Sequence, residues 1–473
     1  MTGLRGRSRR SILALSGVIG FLAVTAAWGA DPAGSFRIPP PARTVLKNGL
    51  VVLAVERHDV PLVQLRLMVR AGSSFDPAGK GGTAALCSRL LKRGTKTRSA
   101  AQFAEEVEFV GGTIDVEPGR DAVVLEAEFA SRDAEIGFNL LADIVSNPIF
   151  AAAEFDNEKS LVLGELRGRL DDPSRAADQA FDTWLYGAHP YGGPPEGVAE
   201  SVGGITRTDV QAFYEAYYAP GNAALVVVGD IGASQVAQRA DRYLSPWKKR
   251  GVSLPKLPAP AAVTGTRVLL LDKPDATQSQ IRIGGMAVRR ADPDLIPLEV
   301  GSTILGGGFT SWLIDELRVK RGLTYSASSR VRAWKDAGNV RLSTFSKNET
   351  VAETVKVSLD LTRKLRAGSL EEADIERAKS YIAGLFPLRL ESPEALAQAL
   401  LDQELYGTGA DFINLYQKRV RSVGIESLKR GLRWLPGDDM AIVIVGPAAL
   451  FKGPLAGLGP VTVRPLTAAR SAP

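Results

Sequence analysis

Arg321 and Tyr325 stand four residues apart, and a cationic fork beside a phenol is a side-chain pair able to stabilise a developing oxyanion. On spacing alone the same two residues also read as an arginine closing a helix and a tyrosine in a buried strand. Glu158 and Glu165 lie seven residues apart, hence two turns along one helical face. They suit either an acidic ligand position or carboxylates that are solvated or paired with arginine. Nucleophile-and-base chemistry has little material. The chain has one cysteine, Cys87, and two histidines, His58 and His189, in separate segments. Cys87 reads as a small buried apolar residue, and a lone cysteine forms no internal disulfide.

These residues must be positioned by a strand-rich start and long helices. Leu50 to Val55 and Leu62 to Val69 are β-rich runs joined by a polar turn and closed by Ala71-Gly72-Ser73. A helix follows over Gly82 to Thr95, GTAALCSRLLKRGT. An inverted zinc motif, His-x-x-Glu-His, uses positions i, i+3 and i+4 of such a helix to set two imidazoles and a general-base carboxylate on one face. Here Ala85, Ser88 and Arg89 hold those positions. Alanine and serine offer Zn²⁺ no nitrogen or thiolate, and a guanidinium repels a dication.

Gly82, Ala84, Gly94 and Thr95 fit the frame G-x-A-H-x-x-E-H-x-x-x-x-G-T, and the surrounding segment resembles the M16 zinc peptidases, the pitrilysin or insulinase-like family. The resemblance runs from about Ala42 to Pro447. It implies a third zinc ligand, a glutamate, in the segment Leu161 to Pro173. Glu165 sits there, 76 residues past Arg89, with Glu158 before it, as a vestigial acidic site without its partners. His189, in the loop His189-Pro190-Tyr191-Gly192, resembles a family connection outside the zinc site. Residues 304 to 328 resemble the family's C-terminal domain, where an Arg-x-x-x-Tyr pair, here Arg321 and Tyr325, is implied to cross the cleft and bind the substrate carbonyl. Gly306, Gly307 and Gly308 lack the Gly-Lys-Ser/Thr of a phosphate loop, and Trp312 stands where family members often have arginine.

The chain is duplicated. Residues 154 to 187 align without gaps on 374 to 407, with 11 identities in 34 positions at an offset of 220, where ordinary composition gives roughly two or three. A period this long marks repeated domains and not a solenoid. The expected class is α+β: two duplicated M16-type domains, each an antiparallel-rich sheet with helices packed on one face. The expected divisions are a signal peptide over 1–29, a first domain over 30–245 with the degenerate motif, a proline-rich linker over 246–263, a second domain over 264–465 with the Arg-x-x-x-Tyr pair, and a tail over 466–473.

Arg5, Arg7, Arg9 and Arg10 precede an apolar run from Ile12 to Ala27, the layout of a secretory leader and short for a membrane span. A periplasmic or secreted protein is expected, by the general route or by the twin-arginine route that Arg9-Arg10 approaches, with membrane contact only through an uncleaved leader. The formal charge of +6 becomes +2 when the four leader arginines are subtracted (6 − 4), so nucleic-acid binding gains no support. Some M16 enzymes divide the work between a zinc-bearing subunit and one supplying the Arg-Tyr pair. The resemblance implies that this chain is the second kind: no metal or cofactor of its own, zinc expected in a zinc-motif-bearing M16 homologue as partner, and a peptide as substrate. The alternative is an envelope peptide-binding or scaffold protein with no part in proteolysis.

Overall fold

The computed structural model describes residues 37–169 and 171–466, so the leader expected over 1–29 and nearly all of the tail lie outside the described residues. Two six-stranded sheets organise the chain. The first contains β1 (Ala42–Val45), β2 (Val51–Glu56), β3 (Leu62–Val69), β4 (Thr113–Pro118), β5 (Val123–Ala130) and β6 (Ala223–Gly229), in the order β1-β2-β6-β3-β5-β4. The second contains β7 (Arg267–Asp272), β8 (Gln278–Ala287), β9 (Ala327–Ala333), β10 (Gly338–Lys347), β11 (Ala441–Gly446) and β12 (Val461–Pro465), in the order β12-β7-β11-β8-β10-β9. Five strands in each sheet therefore share one topology. Most neighbours are antiparallel; β2 with β6, β7 with β11, and β12 with β7 are parallel. This is the α+β duplication expected from the repeat.

Strand alternation sorts side chains to two faces. In β3, Leu65, Leu67 and Val69 enter a core formed with the first half's helices, among them Thr83–Leu90 and Ala134–Ser146. Met68 points the other way, beside Leu53, Val55, Ala224, Val226 and Val228. That second apolar face needs a cover, and the cover comes from the other half. Leu396, Ala397, Leu400 and Leu401 of the helix Pro393–Tyr406 pack on it. Reciprocally, Ala177, Ala180, Phe181 and Leu185 of the helix Pro173–Tyr186 cover Leu269, Leu271, Ala441, Val443 and Val445 of the second sheet.

The two crossing helices are copies at the 220-residue offset (393 − 173), and much of the internal identity falls on them. Each sheet thus carries its own helices on one face and a borrowed helix on the other. Polar ties reinforce the exchange: Arg66 of β3 pairs with Glu394, and Arg282 of β8 pairs with Asp178. Phe181 fits because Gly284 has no side chain, whose Cβ would lie 2.5 Å from the ring. The stretch expected as a linker is laid against the body: residues 248–264 form neither helix nor strand, yet Val263 is buried and Leu257 packs beside it. No helix among the described residues is long and apolar enough to cross a membrane.

Candidate functional site

The helix Thr83–Leu90 starts at Gly82, whose φ of +98° favours glycine and whose absent Cβ would lie 2.7 Å from the Glu196 carbonyl oxygen. Asp76 caps it, its carboxylate accepting the backbone N–H groups of Gly82 and Ala84 at 2.7 Å each. Burial pushes the Asp76 carboxyl up to about 7 from 3.8, outweighing those N–H groups, which pull it down. A carboxyl with a raised folded-state pKa stabilises most below its unfolded value. The contribution of Asp76 is therefore complete below about pH 3.8 and is lost as the pH rises through about 7. Asp76→Asn is expected to flatten the pH dependence of the urea midpoint across that window, and an unaltered profile would count against this role.

Ala85 and Ser88 are buried, and the Ser88 hydroxyl donates to the Ala85 carbonyl at 2.7 Å, so neither turns a usable donor outward. Arg89, one turn on, reaches the helix Ala152–Arg169. Its guanidinium grips Glu165 with two hydrogen bonds, 3.1 and 2.6 Å, and lies 3.6 Å from Glu158. Arg93 meets the other oxygen of Glu158 at 2.5 Å. Burial opposes the charge on Arg89, but the bonds and fields of Glu165 and Glu158 outweigh it, so its pKa is raised. Glu158 is only 3% exposed and depends on these two cations. The sequence-identified residues Arg89, Glu158 and Glu165 are thus brought together as an ion network, with Ala85 and Ser88 in the helix behind it.

This arrangement does not fit zinc. The ligand-bearing positions offer no imidazole or thiolate, and a fixed cation fills the fork of the remaining glutamate. Among the described residues no group of three or more His, Cys, Asp or Glu side chains could hold a metal ion. The remaining candidates for acid-base chemistry are occupied elsewhere. Cys87 is fully buried, and burial pushes its thiol well up. His189 accepts the Tyr191 N–H at Nδ1 and meets the Pro258 carbonyl at Nε2, 3.0 Å, and burial lowers its pKa. His58 is exposed beside Asp230 at 2.6 Å, whose hydrogen bond raises its pKa.

Arg321 follows the helical segment Ile314–Lys320, which has the wide π pitch frequent at functional sites. Its Nε donates to Glu316 at 3.0 Å and a terminal nitrogen to Glu353 at 3.1 Å; the Glu316 hydrogen bond is the main cause of its raised pKa. Tyr325 sits in the loop before β9 and is 77% exposed, so it is not the buried-strand tyrosine that spacing alone allows. Sequence reasoning missed the two carboxylates that hold Arg321. Glu316 is five residues away and could have been found; Glu353 is 32 residues away and gives no local signal. Trp312 packs against the second core with the Lys364 ammonium 5.0 Å from its ring centre, a structural position.

A family model described as Insulinase (Peptidase family M16) matches residues 51–190, and one described as Peptidase M16 inactive domain matches residues 204–382. The chain belongs to the M16 family. An uncharacterized zinc protease of Mycobacterium leprae is 28% identical to this M16 chain over 412 residues, covering 87% of this chain and 92% of that protein. The zinc protease PqqE of Helicobacter pylori is 25% identical, covering 89% of this chain and 95% of its own length. A crystal structure titled as a peptidase M16 inactive domain from Pseudomonas fluorescens superposes with a TM-score of 0.81 at 26% identity, covering 86% of this chain and 98% of that one. Against relatives called zinc proteases, the Arg89–Glu165 fork is the feature that sets the first-half site of this M16 chain at odds with metal binding.

Proposed function

We propose that this chain is the non-catalytic subunit of a two-chain M16 zinc peptidase, closing the peptide chamber and presenting Arg321 and Tyr325 to the substrate carbonyl. The observation that carries the reading is the guanidinium of Arg89 seated on Glu165 while Arg321 and Tyr325 remain displayed on the second half. The partner would bear His-x-x-Glu-His, the zinc and the glutamate that activates water. On this chain, Glu316 and Glu353 pre-orient Arg321, so its remaining N–H groups and the Tyr325 hydroxyl can donate to charge developing on the carbonyl oxygen. Peptide would bind as an added strand on a sheet edge, a mode that reads backbone more than sequence. The leader over 1–29 would deliver the protein to the periplasm or outside the cell, with membrane contact only if it stays attached.

A scaffold role in the envelope is the second reading, and the two-carboxylate clamp on Arg321 favours the first: a scaffold has no use for an oriented donor. Isolation of the full chain from its native cells under mild conditions, followed by mass spectrometry, tests the choice. An M16 homologue with an intact motif in equal amount is the expected companion. Recovery of the chain alone, or only with unrelated envelope proteins, would favour the scaffold.

A further inference from the structure

Each sheet ends in a two-strand ribbon, β4–β5 in the first half and β9–β10 in the second, and the ribbons match register for register. Asp115 lies opposite Glu126 in the first, and Arg330 lies opposite Arg341 in the second. Glu117 faces Val124 as Arg332 faces Asn339. Asp115, Glu117 and Glu126 thus correspond to Arg330, Arg332 and Arg341 at a single offset of 215 (330 − 115, 332 − 117, 341 − 126). All six side chains point away from the main cores, which take the alternate residues Ile114 and Val116 in one ribbon and Val340 and Leu342 in the other. Duplication has kept the position and inverted the charge.

The two edges also differ in what is free. On the first, the Lys92 ammonium bonds the Ile114 carbonyl and the Asp115 carboxylate of β4, both at 2.9 Å. On the second, β9 pairs only with β10, leaving its outer row of backbone N–H and C=O groups available to another strand. Arg341 and Arg332 are engaged inward, with Asp178 at 3.1 Å and Asp182 at 3.8 Å on the crossing helix. Arg330 is exposed and makes no ion pair or side-chain hydrogen bond among the described residues.

Beside β9 runs a groove of about 660 Å³. One wall is Ser326 to Val331 and the other carries Tyr381 and Arg389, the latter also exposed and without an ion pair among the described residues. The floor exists because Gly306 ends its helix against the strand; a Cβ there would lie 2.3 Å from the Ser329 nitrogen. The one carboxylate in the lining, Glu299, accepts the Tyr416 hydroxyl at 2.7 Å; burial raises its pKa, and the charges of Arg290 and Arg389 act against that shift. A chain laid on β9 would run toward Tyr325, two residues before the strand begins (327 − 325).

We propose that this groove binds an extended acidic peptide, which adds as a strand beside β9 with its carboxylates on the Arg330 side of the sheet. The site names the substrate class for the chamber-closing role and rests on that reading for its use, but the binding itself needs neither partner nor zinc. The full chain alone is titrated into fluorescein-labelled decapeptides that alternate valine with glutamate or with lysine, followed by anisotropy. Binding of the glutamate peptide is expected, weaker in salt, with the lysine peptide and the Arg330→Glu variant each weakened by roughly tenfold or more, as for lost charged hydrogen bonds. Arg330 is exposed, so circular dichroism should show an unchanged fold. N-methylation of alternate backbone amides should also weaken binding, which a purely electrostatic contact would not require. No binding, equal binding of the two peptides, indifference to Arg330→Glu, or full retention after N-methylation overturns the proposal. A failed partner search would leave a positive result here standing, and a negative result here would leave the partner reading untouched.

Discussion

In the complex with its zinc-bearing partner, Arg321→Ala combined with Tyr325→Phe is expected to lower turnover by roughly a hundredfold or more while assembly persists, the usual cost of losing preorganised oxyanion donors. Both side chains lie outside the buried cores, so the substitutions remove no packing. The carboxylates left behind, Glu316 and Glu353, sit near the surface and rehydrate, and lost surface ion pairs cost little. The defect should fall on kcat more than on KM, because the donors act on charge that develops only in the transition state. Unchanged kcat would make the pair structural, and a loss traced by size-exclusion chromatography to dissociation would make it an interface element.

The second large effect concerns stability of the first half. Glu158 is almost wholly buried and is neutralised by Arg89 and Arg93 together. Replacing both arginines by methionine keeps most of their aliphatic bulk but strands that carboxylate; fully buried pairs lose about 3–5 kcal/mol this way, and a smaller loss is expected here because the Arg89 and Arg93 side chains are 34% and 45% exposed. Arg89→Met alone should cost about 1 kcal/mol or less, since Arg93 still faces Glu158 and Glu165 is half exposed to water. Urea denaturation measures both. Added zinc should not restore the double variant, because Glu158 and Glu165 alone are too few ligands. A double variant as stable as the parent, or one rescued by zinc, would contradict the reading of this network as a charge-balanced replacement for a metal centre.

Much of this molecule was legible before its fold was known. The strands around Leu50 to Val69, the helix at Gly82 and the duplication all carry local patterns or repeated residues. In the fold, the apolar runs of β6 and β11 are buried on both faces. What covers those faces was not legible, because the exchange of Pro173–Tyr186 and Pro393–Tyr406 between halves is a tertiary choice that no local pattern encodes. At the site, the spacing of 76 residues joined Arg89 to Glu165 only through the resemblance, and the fork between them needed coordinates. The sign inversion between the edge ribbons emerges only when β4 and β9 are placed in register against β5 and β10.

The central claim is that the metal belongs to another chain. Its most direct test is to measure bound zinc and peptide cleavage for the purified full chain alone and for the chain with its co-purifying partner. The account predicts no tightly bound zinc and no cleavage for the isolated chain, with both present in the complex. Stoichiometric zinc, or cleavage abolished by a chelator, in the isolated chain would contradict it.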